Sequence, residues 1–143
     1  MRKVRVLVAV QPLPLMRVVE HLLGAAPEIQ IIPRSYATLS LAQQAKRLQP
    51  DLIIANSTFL GDKAFDVLNS IKRASPRGKL IFMAFDAGMS GLARQCGVDA
   101  YLDEEVLVKQ LLSAARRLAA QCRPAKALKG RARTTTRWTR RAR

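Results

Sequence analysis

Five short apolar runs alternate with segments of helical periodicity, and this alternation is the feature that most constrains the fold. The runs are rich in Val, Ile and Leu, which is typical of strands buried on both faces. They lie at residues 4–10, 29–32, 52–55, 80–85 and 98–102. Between and after them, apolar residues recur at three- and four-residue spacing. This spacing predicts helices within 15–23, 41–48, 64–71 and 107–118, and a weaker one at 88–96.

A strand and helix repeated five times predicts a single α/β domain. Such alternation indicates a parallel sheet with helices on both faces and right-handed crossovers. For five strands the usual solution is a flavodoxin-like, doubly wound sheet of order 2-1-3-4-5. We expect this domain to occupy residues 1–122, because the apolar periodicity stops after Gln121.

The remaining residues, 123–143, form a strongly basic segment. The chain has a net charge of +15, and nine of its 25 Lys and Arg residues lie in this segment, which contains no acidic residue. A run of like charge repels itself and cannot bury a core, so we expect a disordered tail. The three consecutive threonines and Gly130 disfavour a helix in the free chain.

The tail is the candidate binding segment for a polyanion. Arginine binds phosphate in a bidentate manner, and a tryptophan among the charges can stack on a base or lie at a membrane interface. We favour nucleic acid, either DNA or RNA, over an acidic protein or anionic lipid. A solvated tail that only adds solubility is the remaining alternative. The candidate contacts are Lys126, Lys129, Arg131, Arg133, Arg137, Trp138, Arg140, Arg141 and Arg143.

Several features favour a cytoplasmic protein without a membrane span. Cys96 and Cys122 set no disulfide framework and have no metal-ligand neighbour at CxxC spacing, which favours reduced thiols. The apolar run at 6–10 is too short for a signal peptide, and no segment approaches the roughly 18 apolar residues of a membrane span. We expect no metal ion and no cofactor.

Four segments occur in an order and spacing that indicate a known family. They are VRVLVAVQPLPLMRVVEHLL, QPDLIIANSTFLG, SPRGKLIFMAF and CGVDAYLDEE. Pro50 and Asp51 precede the third strand, Gly61 follows it, and residues 97–101 precede the last helix. On these segments, residues 3–121 resemble the receiver domain of two-component response regulators.

The resemblance also implies that the phosphorylation chemistry of the family has been lost. The acid pair that holds Mg²⁺ falls on Val10 and Gln11, the phosphoacceptor on Asn56, the hydroxyl position on Ala84 and the lysine position on Glu104. Valine offers no oxygen ligand, and an amide is not a carboxylate nucleophile. A glutamate also has the wrong sign to stabilise a phosphoryl group. We therefore predict a degenerate receiver, a pseudo-receiver, with no catalytic residue.

Two further side chains fit a structural role better than a chemical one. Tyr101 lies where the family has an aromatic residue that moves between buried and exposed states. With Ala84 in place of the hydroxyl residue, we favour a fixed aromatic. His21 is the one histidine of the chain and lies off the apolar stripe of its helix, which favours a surface position. No Gly-rich nucleotide motif is present, so we expect no enzymatic activity.

These observations favour a phosphorylation-independent signalling or adaptor protein. Its receiver-like body would be a platform for protein partners, and its tail would bind nucleic acid. A small dimeric nucleic-acid-binding protein is one alternative, and a homodimer would then pair through the fourth helix, the fifth strand and the fifth helix. A ligand sensor with a crevice at Gln11, Asn56 and Ala84 is another. A conventional phosphorelay receiver is the last, and the five replacements argue against it.

Overall fold

A five-stranded parallel sheet forms the centre of the protein. The computed structural model describes residues 3–33, 40–85 and 87–129, with only the backbone given for residue 87 and residues 123–129. The strand order is β2-β1-β3-β4-β5, and each neighbouring pair is parallel. This confirms the predicted flavodoxin-like order 2-1-3-4-5. The strands are β1 Val4–Ala9, β2 Ile29–Ile31, β3 Leu52–Asn56, β4 Lys79–Ala84 and β5 Ala100–Asp103.

Helices cover both faces of the sheet. They are α1 Leu13–Leu23, α2 Leu41–Leu48, α3 Ser57–Leu60, α4 Ala64–Ala74, α5 Ser90–Gln95 and α6 Leu107–Lys129. Short 3₁₀ turns precede α4, α5 and α6 at Gly61–Lys63, Ala87–Met89 and Glu104–Val106. Of these six helices, only α3 has no counterpart in the sequence prediction.

The core consists of two layers because successive strand residues point to opposite faces. Val6 and Val8 lie in the layer that α1 and α6 cover. Leu7 and Ala9 lie in the layer that α2, α4 and α5 cover. Burial on both faces explains why the strands appear in the sequence as continuous apolar runs rather than alternating ones.

The final helix extends beyond the boundary that we predicted at residue 122. Its backbone remains helical through Lys129, so the segment 123–129 differs from the disorder expected there. Residues 125–129 are all Ala, Lys or Leu, and these residue types are strong helix formers. Residues 130–143, the rest of the expected tail, lie outside the described residues.

The parallel sheet has two chemically distinct edges. All strands end at one edge, named here the carboxyl edge, and all begin at the opposite, amino edge. The carboxyl edge is where ligand sites of open α/β sheets lie. Within the described residues, no helix combines the length and the apolar character needed to cross a membrane.

Candidate functional site

Asn56 occupies the centre of the carboxyl edge, at the last position of β3. Its side chain is fully buried and makes four hydrogen bonds. Oδ1 accepts from the backbone N–H of Gln11 and of Phe59, both at 3.1 Å. Nδ2 donates to the carbonyl oxygen of Gln11 at 2.6 Å and to Oε2 of Glu104 at 2.9 Å. Two donors and two acceptor sites are the full capacity of an amide, so this side chain has none left for a ligand.

The four bonds fix three separate segments to one another. Gln11 belongs to the loop after β1, Phe59 to α3 and Glu104 to the turn after β5. The bond to Phe59 makes Asn56 the N-cap of α3, a role that asparagine fills well because its oxygen satisfies a free amide of the first helical turn. The arrangement is thus a structural clasp across the carboxyl edge.

Glu104 is the one carboxylate of this clasp. It is 7% exposed, and burial raises the pKa of its side chain. The hydrogen bond from Asn56 lowers that pKa, and the nearby charge of Asp103 raises it. Asp103 itself accepts from the backbone N–H of Glu105 and caps the 3₁₀ turn before α6. The carboxyl group of Glu104 is therefore either negatively charged or protonated and neutral. In neither form does it supply a positive charge at the carboxyl edge.

Val10 and Ala84 contribute no polar side-chain atom to the site. Val10 is 1% exposed and packs in the layer of α1 and α6. Ala84 is fully buried in the opposite layer, where its register partner on β5 is Asp103. Gln11 contributes only its backbone, since its side chain is exposed. Of the five predicted positions, the structure brings Gln11, Asn56 and Glu104 together through hydrogen bonds.

The donor set does not fit the Mg²⁺ ion that a conventional receiver domain holds at this position. Mg²⁺ requires oxygen ligands in near-octahedral geometry. Here Oδ1 of Asn56 already accepts two N–H groups, the carbonyl of Gln11 accepts Nδ2, and Val10 is apolar. Nor does any other part of the described chain group three His, Cys, Asp or Glu side chains in a way that could hold a metal ion.

Tyr101 lies half-buried on β5 and packs against an aromatic residue of β4. Its ring centroid is 6.0 Å from that of Phe82, with the planes tilted by 49°. Phe82 in turn contacts Phe65 of α4, with centroids 6.3 Å apart. Tyr101 is therefore part of a packed aromatic row in the layer of α2, α4 and α5.

A cavity of about 330 Å³ lies beside the clasp and shares Phe59 with it. It runs between α2 on one side and α3 and α4 on the other, and its walls are mostly apolar, from residues such as Leu41, Phe59 and Val67. Its lining does not include Gln11, Asn56 or Ala84, which form the crevice expected for a ligand sensor. Asn56 and Ala84 are instead fully buried.

The remaining predicted residues lie either in α6 or outside the described part of the chain. Lys126 and Lys129 lie within α6, for which the backbone alone is given there. Both cysteines are buried and neither forms a disulfide, and burial, with a contribution from Asp66, raises the pKa of the Cys96 thiol. The residues that lie outside the described part are Arg131, Arg133, Arg137, Trp138, Arg140, Arg141 and Arg143.

Sequence comparisons find no relative of this chain, whereas structural comparisons find many. No protein family model and no curated protein match it. The receiver domain of the response regulator NarL from Mycobacterium tuberculosis superposes with a TM-score of 0.70 at 16% identity, covering 84% of this chain and 98% of that one. A protein assigned to pilus assembly from Burkholderia pseudomallei gives 0.70 at 20% identity, covering 83% and 91%.

A second protein assigned to pilus assembly, CpaE from Burkholderia thailandensis, gives a TM-score of 0.66 at 20% identity, covering 82% of this chain and 99% of that one. These identities are low, so the likeness concerns the backbone. It extends over nearly the whole of each neighbour. The chain has the fold of the response-regulator receiver domain.

Proposed function

We propose that this chain is a signalling adaptor that works without phosphorylation. In this proposal it is a pseudo-receiver and not an enzyme, located in the cytoplasm. Its body binds a protein partner, and its basic C-terminal segment binds nucleic acid. The observation that carries the proposal is the clasp at Asn56, whose four hydrogen bonds fill the position where a receiver needs a free carboxylate.

The electrostatics of the clasp support the loss of phosphorylation. A phosphoryl group bound here would bring negative charge beside Glu104, whose Oε2 lies 2.9 Å from Nδ2 of Asn56. Catalysts of phosphoryl transfer place cations or N–H donors at such a position, because charge builds on the transferred oxygens. The buried carboxyl of Glu104 instead opposes that charge.

The end of the sheet at β4 and β5 supports a platform for protein partners. Three large apolar side chains are exposed there: Phe85 after β4 at 65%, Leu92 on α5 at 50% and Val108 in the first turn of α6 at 65%. Apolar side chains that remain in water at one end of a domain favour an interaction surface. These three residues are named here the apolar end.

The first test is phosphorylation itself. The full chain is incubated with Mg²⁺ and a small phosphodonor such as acetyl phosphate, and its intact mass is measured. We expect no added phosphate, and none for Asn56→Asp alone, because Val10 and Gln11 still provide no metal ligand. A conventional receiver domain is the positive control. A stable mass increment of one phosphate that depends on Mg²⁺ would contradict the proposal.

The second test addresses the partner. The full chain and its Leu92→Glu variant are used for affinity capture, each with and without nuclease. We expect a protein that is captured through the apolar end to be lost with Leu92→Glu and to survive nuclease. Val18→Glu is the matched control, because Val18 is 40% exposed on α1, a helix that carries none of the three residues of the apolar end.

A role in pilus assembly is a second candidate function. Two of the solved neighbours, from Burkholderia pseudomallei and Burkholderia thailandensis, are assigned to pilus assembly. On this hypothesis the protein captured through the apolar end is a component of a pilus-assembly machinery. Capture of such a component by the wild-type chain and not by Leu92→Glu would support it, and capture of two-component signalling proteins alone would contradict it.

A further inference from the structure

Hydrogen bonds join the ends of several elements tightly at the amino edge. Nε2 of Gln49, the C-cap of α2, donates to the carbonyls of Lys46 at 2.8 Å and of Ala74, the last residue of α4, at 3.0 Å. Nη1 of Arg5 on β1 donates to the carbonyl of Leu48 at 2.8 Å. The start of β1 and the last turns of α2 and α4 are therefore held side by side.

Exposed basic residues concentrate at this edge. Lys46 and Arg47 lie in the last turn of α2, Arg73 lies in the last turn of α4, Arg77 lies in the turn before β4, and Lys3 precedes β1. All five are exposed. Within the described residues, none of the five has a carboxylate partner, since the two ion pairs there are Lys72–Asp99 and Arg116–Glu28.

The carboxylates at the amino edge bind groups other than these five basic side chains. Oδ2 of Asp99 accepts from Nζ of Lys72 at 3.2 Å and from the backbone N–H of Leu80 at 2.8 Å. Oδ2 of Asp51, which is 3% exposed, accepts from the backbone N–H of Arg5 at 2.9 Å. Glu28 pairs with Arg116 at 3.0 Å. The positive charge of the five exposed residues is therefore not neutralised locally.

The carboxyl edge has the opposite character. Acidic residues lie at or after the ends of the strands there, and they outnumber the two exposed lysines of that edge, Lys63 and Lys109. The acidic residues are Asp62, Asp66, Asp103, Glu104 and Glu105. The described body is thus polarised, with its positive end at the amino edge.

The basic C-terminal segment begins at that same positive end. Sγ of Cys122 on α6 donates to the carbonyl of Asp51, the residue that precedes β3, at 3.4 Å. The helix backbone continues from this contact to Lys129. Residues 123–143, with nine basic residues and no acidic one, therefore start beside the five exposed basic residues of the amino edge.

We propose that the amino edge of the body is a binding surface for the phosphate backbone of a nucleic acid, continuous with the C-terminal segment. The inference rests on the proposed nucleic-acid binding and adds the surface on the body that takes part. Lys46, Arg47 and Arg73 also complement the negative ends of their helices. Lys3 and Arg77 lie outside helices, so that effect does not account for them.

The test compares two double variants of the full chain that change the charge equally. Arg47→Glu with Arg77→Glu alters the amino edge, and Lys63→Glu with Lys109→Glu alters the carboxyl edge. Binding to a short duplex DNA is measured against salt concentration, and circular dichroism checks the fold. We expect the amino-edge variant to bind about tenfold more weakly and to lower the magnitude of the salt slope by about 2, roughly one unit for each phosphate that the variant no longer binds. The carboxyl-edge variant should bind like the wild type.

A third full-chain variant separates this inference from the proposed function. In it, Arg137, Arg140, Arg141 and Arg143 are changed to Gln. If this variant loses binding and the amino-edge variant does not, the segment binds alone and the surface on the body is refuted. If only the amino-edge variant loses binding, the surface stands and the segment is not the main binding element. Absence of duplex binding by the wild type overturns both, as does binding only to phosphatidylserine vesicles.

If Arg47→Glu with Arg77→Glu fails to fold, the neutral pair Arg47→Gln with Arg77→Gln replaces it. This pair keeps polar side chains at both positions and leaves the helix end of α2 without an added negative charge. We then expect about half the change in affinity, still with a reduced salt slope. Binding equal to that of the wild type by this folded pair refutes the surface.

Discussion

A single amide at position 56 determines the chemistry of the carboxyl edge. An amide can both donate and accept, and Asn56 needs both abilities, because it faces two N–H groups on one side and two oxygen acceptors on the other. A carboxylate has the same shape but only accepts. The difference between a receiver's phosphoacceptor and this residue is therefore a difference in hydrogen-bond direction, with little change in size.

We expect Asn56→Asp to destabilise the protein. The new oxygen would face the carbonyl of Gln11 and Oε2 of Glu104 without a proton to donate, and two carboxylates would share a buried site. The free energy of unfolding should fall by about 2–4 kcal/mol at neutral pH. Protonation of one carboxyl restores a donor, so the deficit should shrink in acid. Urea unfolding at several pH values measures it, and a deficit that is constant with pH would contradict this explanation.

Glu104 makes the stability of the wild-type protein depend on pH. Burial raises its pKa in the folded state, so the folded protein binds its proton more tightly than the unfolded chain does. This contribution is fully present below the ordinary carboxyl pKa and is lost as the pH rises to the raised value in the folded state. Glu104→Gln keeps an acceptor for Asn56 and removes the charge.

We therefore expect Glu104→Gln to be at least as stable as the wild type at neutral pH and to lose this acidic pH dependence. Melting curves across that range, with Glu105→Gln as the control for an exposed neighbour, provide the measurement. A variant with an unchanged pH profile would show that Glu104 is not the titrating group.

At the residue scale, the sequence predicts which side chains occupy the edge but not how they bind one another. The resemblance identifies Asn56 and Glu104, each as a replacement for a lost function. Their bond joins residues 48 positions apart and depends on two loop conformations that no local pattern encodes. A local signal did exist for the bond to Phe59, because Asn before a Ser-Thr pair is a good helix N-cap.

At the scale of elements, periodicity predicts the long helices and fails for the short one. Helix α3 spans four residues, which is too few for a repeat of apolar positions to be recognised. The extension of α6 past Cys122 escapes prediction for a different reason. Pro124 and the loss of the apolar stripe indicate an end, whereas propensity alone favours helix in the Ala-, Lys- and Leu-rich residues that follow.

Helix α5 is the element that we expect to take part in any self-association. It has six residues and no side-chain N-cap, and its exposed residues include Leu92 and Arg94. A short, uncapped helix adapts to a partner at low cost, because few internal bonds hold it. The predicted face, formed by α5, β5 and α6, also includes the exposed Val108.

If the chain forms a dimer, Leu92→Glu and Arg94→Glu should each weaken it by about tenfold or more, since loss of a hot-spot side chain costs about 2 kcal/mol or more. Sedimentation velocity over a range of concentrations measures the change. Val18→Glu on α1 serves as the control and should leave the dimer intact. A dimer that survives both α5 substitutions uses another face.

At the scale of the whole molecule, strand order is predictable because topology rules leave few choices for five βα units. The polarised charge of the body is also encoded in the sequence. Exposed basic residues precede strands or lie in the last turns of helices, as at Lys3, Arg47 and Arg77, while exposed acidic residues come after strands, as at Asp62 and Glu105. In a parallel sheet this pattern places the two signs at opposite edges. The net charge of consecutive stretches of the chain does not reveal this polarity, because each stretch contributes residues to both edges.

For the C-terminal segment, the contributions of charge and of base stacking to DNA affinity can be measured separately in the full chain. If about five phosphates are engaged, log affinity for duplex DNA should fall with log salt at a slope of roughly −4 to −5. The affinity should be nearly independent of base sequence, because phosphate contacts position a protein without specifying bases. Competition between unrelated duplexes tests this independence, and a preference for one sequence would indicate base readout.

Trp138 is the one tryptophan of the chain, so its fluorescence reports on the C-terminal segment alone. If the indole stacks on bases, single-stranded DNA should quench it more than duplex DNA does, because paired bases are already stacked. Trp138→Ala should then weaken binding to single strands by about 1–3 kcal/mol and leave the salt slope unchanged. Trp138→Phe keeps an aromatic face and should retain most of the affinity. Equal quenching by both forms of DNA, with no loss of affinity for either the Ala or the Phe variant, would show that the segment binds by charge alone.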